Sequence, residues 1–380
     1  MASSYVSLQP GDPAPWFHQA STSNPRYAFD SVGGRYVVFC FLGSAADPRA
    51  KAALAVVEAN RRQFDDVRAC FFGVTIDPED QRQERLVESL PGIRFFWDFD
   101  RLVSARYGAT ARDIEPGSAE RIEVRQFWLV LDPFLRVMAA FPIDQGNAMA
   151  EYLSALPPPE RHLGYETQAP ILILARVFEP EFCRHLIEGH EQAGGGKQSG
   201  FMREEGGKTV EKRDLAFKSR RDHFVEDAET VKQIQARITR RVTPEIAKVY
   251  GVNCTRMERY LVGCYSQEEG GHFRPHRDNT TKGTAHRRFA VSINLNDAFD
   301  GGELSFPEFG PRSFKAPVGA ALIFPGALLH AVSAVTRGRR YAFLPFVYDE
   351  AAAKIREANA KFLEGEAANY KAQQPTTEKA

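Results

Sequence analysis

Three consecutive prolines, Pro157–Pro159, divide this 380-residue chain into segments whose residue patterns cannot belong to the same kind of sheet. Before them, short β-rich runs alternate with helical patterns. "YVVFCFLG" is a continuous apolar run, as expected of a strand buried on both faces. "DPRAKAALAVVEANRRQF" follows with helical spacing and Pro48 near its start. "VRACFFGVTID" reads as a strand and "PEDQRQERLVESL" as a helix. "RQFWLVLDPFLRVMAAFPID" reads as a hairpin turning at Asp132–Pro133–Phe134, and "NAMAEYLSAL" as a closing helix. This predicts an α/β sandwich over residues 1–156. The stiff stretch 157–169 reads as a linker.

Past the linker the pattern changes. "EPEFCRHLIEGHE" and "DAETVKQIQARITRRVTPEIAKVYG" read as helices. From Met257 to Asp349, eight short strands separated by Gly, Pro and Asp turns suggest a double-sheet jelly roll over residues 170–350. Between the helices, the Gly-rich segment Gly194–Arg213 admits two readings, a disordered surface loop or a mobile lid over a site. Residues 351–380 read as a helix followed by a disordered polar tail, "QQPTTEKA".

Basic and acidic residues number 49 each, which weighs against a nucleic-acid partner. The N-terminus lacks the basic and apolar regions of a secretory signal, and no apolar run is long enough to span a bilayer. A soluble, cytoplasmic protein with no membrane partner is expected. The five cysteines are odd in number, scattered and without a CxxC, so most are expected to be buried and inert.

The stretch "GHFRPHRDN" carries the first chemical signal. On a strand, His276 and Asp278 share one face with Cα atoms roughly 6.6 Å apart, close enough to converge on one ion. His272 and Arg274 fall on the same face by parity, but His272 is about 13 Å from His276 along the strand. Alone, this pair reads as an exposed charged turn. His330 alone reads as a core or rim histidine, and Arg340 alone as a surface arginine. Together they meet a chemical demand. Two histidines and a carboxylate on one face of an octahedral ion leave three positions open, and a nearby arginine can clamp a carboxylate through a bidentate pair.

Four segments, "YLVGCYSQEEGGHFRPHRDN", "RFAVSINLND", "FDGGELSFPEFG" and "VGAALIFPGALLHAVSAVTRGRRYAF", resemble the prolyl 4-hydroxylase-like 2-oxoglutarate/Fe(II) dioxygenases. The likeness covers about half the chain and implies a double-stranded β-helix with flanking helices. It implies iron ligation by His276, Asp278 and His330. It implies that Arg340, with Arg339 as the alternative, binds the distal carboxylate of 2-oxoglutarate, and that Tyr265 contacts the same molecule. Fe(II), 2-oxoglutarate and O2 are the implied requirements, with ascorbate in support. The implied reaction hydroxylates an unactivated C–H bond of a prolyl residue, an amino acid or a small metabolite. It couples this to decarboxylation of 2-oxoglutarate to succinate. Asp278 argues for hydroxylation over halogenation. Arg274 is a candidate substrate contact, "FDGGEL" a structural turn, and His286 an expected surface residue.

"GDPAPWF", "FFGVTIDPED" and "FFWDFDRLVSARYGA", with the strands above, resemble the peroxiredoxins on a thioredoxin fold, over about Leu8–Leu156. That family needs a Pro-x-x-x-Thr-x-x-Cys loop. This chain has Gly43, Asp47 and Ala50 at those three positions, and only Arg125 matches the family's arginine. The resemblance therefore implies a redox-inactive domain, with Cys40 and Cys70 inert and a homodimer through this domain. A non-catalytic binding scaffold and a thiol redox protein are the alternative functions.

Overall fold

The computed structural model of the protein describes residues 4–112 and 123–365. Two units separate, Met1–Gln168 with Pro307–Pro311, and Ala169–Phe306 with Arg312–Ala380.

The first unit is built on a five-stranded sheet. Its order is Ile93–Trp97, Ala69–Thr75, Tyr36–Gly43, Phe127–Leu131, Val137–Pro142. The first three strands run parallel and the last two join antiparallel as a hairpin. Every residue of the two strands Tyr36–Gly43 and Ala69–Thr75 is buried, so their sequences show no polar alternation. Val38, Cys40 and Leu42 pack with Ala53, Val57, Met149 and Leu153 of two helices. Val37, Phe39 and Phe41 pack on the other face with Phe17, Phe29 and Tyr107. Helix Pro48–Ala59 starts where Asp47 accepts the Arg49 N–H at 2.7 Å and Pro48 takes the first position.

The helix expected over "PEDQRQERLVESL" is only Pro78–Arg82. The backbone turns left-handed at Glu84 (φ 50°), and Asp80 is drawn inward. Its buried carboxylate accepts Thr75 Oγ1 at 2.5 Å, the Ala45 N–H at 2.8 Å and Arg85 at 3.0 Å. Ser44 Oγ donates to Asp77 at 2.6 Å. Carboxylates therefore hold the loop "GSAADPRA" that precedes buried Ala50. Arg125 stacks over Tyr5, 3.6 Å from the ring centre.

In the second unit, helices Pro180–Gln192, Ala228–Arg241 and Thr243–Tyr250 cover one face of a large, mostly antiparallel sheet. Phe182, Leu186, Ile234, Ile238 and Ile246 meet Val262, Cys264, Val291, Ile293, Tyr341 and Phe343 in one core. Strand alternation then sends Tyr265, Ser292, Asn294 and Arg340 to the opposite face. A smaller sheet runs Lys218–Ser219, His272–His276, His330–Val332, Leu304–Ser305, Ser313–Phe314.

Several expectations are corrected. The long helix breaks at Val242, because Pro244 lacks the N–H needed to continue it. "MERYLVGCYS" is two strands, split at left-handed Arg259 (φ 67°). The Gly-rich segment is ordered as an antiparallel hairpin, Phe201–Glu205 with Lys208–Lys212. Gly206 and Gly207 (φ 55° and 77°) form its two-residue turn, a conformation that suits paired glycines. The C-terminal helix is Glu350–Asn359, and the tail "QQPTTEKA" lies outside the described residues.

His286 is not at the surface. It is 2% exposed and bonds Glu258 through Nε2 at 3.0 Å, beside Arg287 at 2.8 Å and Arg356 at 3.2 Å. Burial opposes ionisation of Glu258, but Arg287 and His286, with Arg356, outweigh it and hold the carboxyl far below the usual range. Glu258→Ala would strand buried cations and is expected to cost the second unit about 3–5 kcal/mol at neutral pH, read by urea unfolding. Because the folded pKa is depressed, this contribution is present above about pH 4.3, the unfolded value, and is lost as pH falls through the folded one. Equal stability of variant and wild type at pH 7 would contradict the assignment.

Burial raises the Cys70 thiol to about 12 and the Cys40 thiol well above its usual value. All five cysteines are free and buried. No thiol is therefore expected to react quickly with an aromatic disulfide reagent until denaturant is added. A fast-reacting thiol in the native protein would overturn this.

Candidate metal centre

His276 ends the strand His272–His276, and His330 begins the strand His330–Val332. The antiparallel register makes them direct partners, and their ring centres lie 4.2 Å apart. Asp278 lies beyond the strand end, where its N–H donates to Gly326 O at 2.8 Å. Its carboxylate sits 3.7 Å from His276 Nε2 and 3.5 Å from His330 Nε2. One ligand atom from each residue falls within 4.8 Å of the others, and no other such group of three occurs among the described residues.

Both imidazoles are oriented from behind. His276 Nδ1 lies 2.8 Å from Arg274 O, and His330 Nδ1 lies 3.0 Å from Leu328 O. A carbonyl can only accept, so each Nδ1 carries the proton and each Nε2 offers its lone pair. Burial, reinforced by His330, holds His276 well below the usual imidazole range and therefore neutral. Two imidazole nitrogens and one carboxylate fit a divalent first-row metal with open positions.

The convergence is not produced by the expected strand parity. The register shifts between Phe273 and His276, and the two rings stack at 3.5 Å. Asp278 joins from the turn rather than from the strand face. His272 is held by the carbonyls of Gly270 and Ala216. Arg274 is exposed and does not join the cluster. Phe217, Phe306 and Phe324 complete aromatic walls around the two histidines.

Arg340 and Tyr265 are cross-strand partners on the face away from the helices. Arg340 is 2% exposed. Its Nε donates to Asn294 at 3.0 Å and its Nη2 to Ser292 at 2.8 Å, so both partners are neutral. Its Nη1 is buried without a partner. Leaving a charged donor buried and unpaired is costly, so the position calls for an acceptor, best an anionic one. Arg339 points the other way along the strand, is half-exposed and pairs with Glu268 at 3.4 Å.

Sequence reasoning missed Lys218, Arg220 and Asp222, all buried. Asp222 accepts Arg220 Nε at 2.5 Å and Nη2 at 2.7 Å, while Arg220 Nη1 donates to the Tyr265 hydroxyl at 3.2 Å. Lys218 donates to Ser199 at 2.7 Å and to Gly200 O at 2.5 Å. The available signal was their period of two within "KSRRDHF", where polar residues mask two short strands, Lys218–Ser219 and Arg221–Phe224.

His330→Ala removes one of three ligand atoms. It is expected to weaken anaerobic Fe(II) or Mn(II) binding by at least about 100-fold in calorimetry, more than loss of an outer partner costs. His272→Ala should leave binding unchanged, and equal losses from the two variants would contradict the site.

Residues 260–348 match the family model described as the 2OG-Fe(II) oxygenase superfamily. A PKHD-type hydroxylase of Pseudomonas fluorescens is 42% identical over 91 residues, 22% of this chain and 39% of that protein. The chain thus spans about two-fifths of the length of that relative. Among solved structures, a Pseudomonas putida prolyl-4-hydroxylase is similar at TM-score 0.38 and 15% identity, over 48% of this chain and 94% of its own. Peroxidoxin BcpB from Mycobacterium tuberculosis is similar at TM-score 0.33 and 18% identity, over 40% of this chain and 99% of its own. The segment that carries His276, Asp278, His330, Arg340 and Tyr265 is therefore the segment that resembles the 2OG-Fe(II) oxygenases.

Proposed function

We propose that the second unit is a 2-oxoglutarate- and Fe(II)-dependent hydroxylase built on a double-stranded β-helix. The observation that carries this reading is a His–Asp–His cluster in the same unit as a buried arginine with an unpaired N–H and no carboxylate partner. A structural or hydrolytic metal site would have no use for that arginine.

In this reading His276, Asp278 and His330 would hold Fe(II), with each imidazole turned toward the metal by the backbone carbonyl at its Nδ1. Bound iron supplies the oxygen chemistry that no side chain can perform. Arg340 anchors a carboxylate of 2-oxoglutarate, and its Asn294 and Ser292 partners hold the guanidinium in place. The aromatic walls exclude water, which strengthens charge–charge attraction inside. The net reaction takes 2-oxoglutarate, O2 and a C–H bond to succinate, CO2 and an alcohol. A prolyl residue, a free amino acid or a small metabolite is the substrate class. The name PKHD-type hydroxylase, carried by a relative, supports hydroxylation.

The first unit is read as a thioredoxin-fold, peroxiredoxin-like domain without redox activity. Ala50 replaces the needed thiol, and the neighbouring Asp77 and Asp80 carboxylates would oppose a thiolate there.

With Fe(II), ascorbate and 2-oxoglutarate, the wild type should release succinate, including slow release without substrate. His276→Ala should reduce this to background. Succinate release equal in the two proteins across candidate substrates would sink the proposal.

A further inference from the structure

We propose that Arg220 is a positioning residue that turns Tyr265 into a hydrogen-bond donor for 2-oxoglutarate; this rests on the hydroxylase reading above. A guanidinium can only donate, so the 3.2 Å contact makes the Tyr265 oxygen the acceptor. The phenol must then spend its own proton elsewhere. Tyr265 is 1% exposed, and no hydrogen bond donated by it is seen among the described residues. Its ring lies 5.2 Å from the Arg340 guanidinium carbon. Two buried donors, the Tyr265 hydroxyl and Arg340 Nη1, thus sit on cross-strand neighbours, and Arg340 Nη1 meets no acceptor within hydrogen-bond distance. A carboxylate is the group that accepts from both at once.

The arrangement is built in detail. Asp222 takes two of the Arg220 nitrogens and so aims the third at Tyr265. Gly263 lies under the Arg220 stem, where a Cβ would come within 2.9 Å of Arg220 Cδ. The surrounding charge also suits an anion. Arg220 and Arg340 are buried, with Asp222 as the acid bonded to Arg220 and to Arg259.

The test measures 2-oxoglutarate binding by calorimetry to protein loaded with Mn(II), which does not turn over. Tyr265→Phe is expected to weaken binding by about tenfold, the loss of one charge-assisted hydrogen bond. Arg220→Gln with Asp222→Asn, which removes both charges of the Arg220–Asp222 pair, should weaken it similarly. Arg220→Lys, which keeps the charge against Asp222 but lacks the second arm, should do the same. Combining either Arg220 change with Tyr265→Phe should add no more than about twofold, because both remove the same bond. Mn(II) affinity without 2-oxoglutarate should stay within about twofold of wild type, which also reports that the variants are folded. Wild-type affinity in the Arg220 variants, full affinity restored by lysine, or multiplying effects with Tyr265→Phe would each overturn the inference while leaving the hydroxylase reading intact. A wild type that binds no 2-oxoglutarate, or Arg340→Ala that binds it normally, would overturn both.

Discussion

The antiparallel register that sets His276 opposite His330 is the constraint on which the second unit's chemistry depends. It brings two imidazoles to ring centres 4.2 Å apart with no help from loops. Their orientation then follows from the backbone, since Arg274 O and Leu328 O each take one Nδ1 proton. Only Asp278 needs a separate device, the hydrogen bond to Gly326 that holds the turn after the strand. A one-residue slip of this pairing would reverse the faces and dissolve the cluster.

The same period of two divides the large sheet into a stability face and a chemical face. Val262, Cys264, Val291, Ile293, Tyr341 and Phe343 sit under the helices. Tyr265, Ser292, Asn294 and Arg340, one residue out of phase, face away. The hydrophobic burial that fixes the strands also places the polar groups, so the buried guanidinium is supported by the core on the other face of the sheet.

Much of this was legible from residue types. His276, Asp278, His330 and Arg340 could be singled out because few other functions need them together. Strand parity does not bring His276 and Asp278 together, since the strand ends at His276 and the register shifts before it. Bulges and strand ends depend on cross-strand partners that a single segment does not reveal. Arg220 and Asp222 were missed because a charged strand reads as a loop, and their burial depends on each other. His286 was misplaced for the same reason, its partner Glu258 being distant in sequence. The Gly206–Gly207 turn was visible as a glycine pair, but charge density hid the hairpin around it.

A hydroxylase of this kind needs one set of side chains to hold both a metal and a keto acid. The most direct measurement is the anaerobic visible absorption of Fe(II)-loaded protein on addition of 2-oxoglutarate. A keto acid chelating iron gives a charge-transfer band. The band is expected in the wild type, is expected to be lost in Asp278→Ala, and should recover only at much higher 2-oxoglutarate in Arg340→Ala. A wild type that gives no band, or an Asp278→Ala variant that keeps it, would contradict the joint role of these side chains.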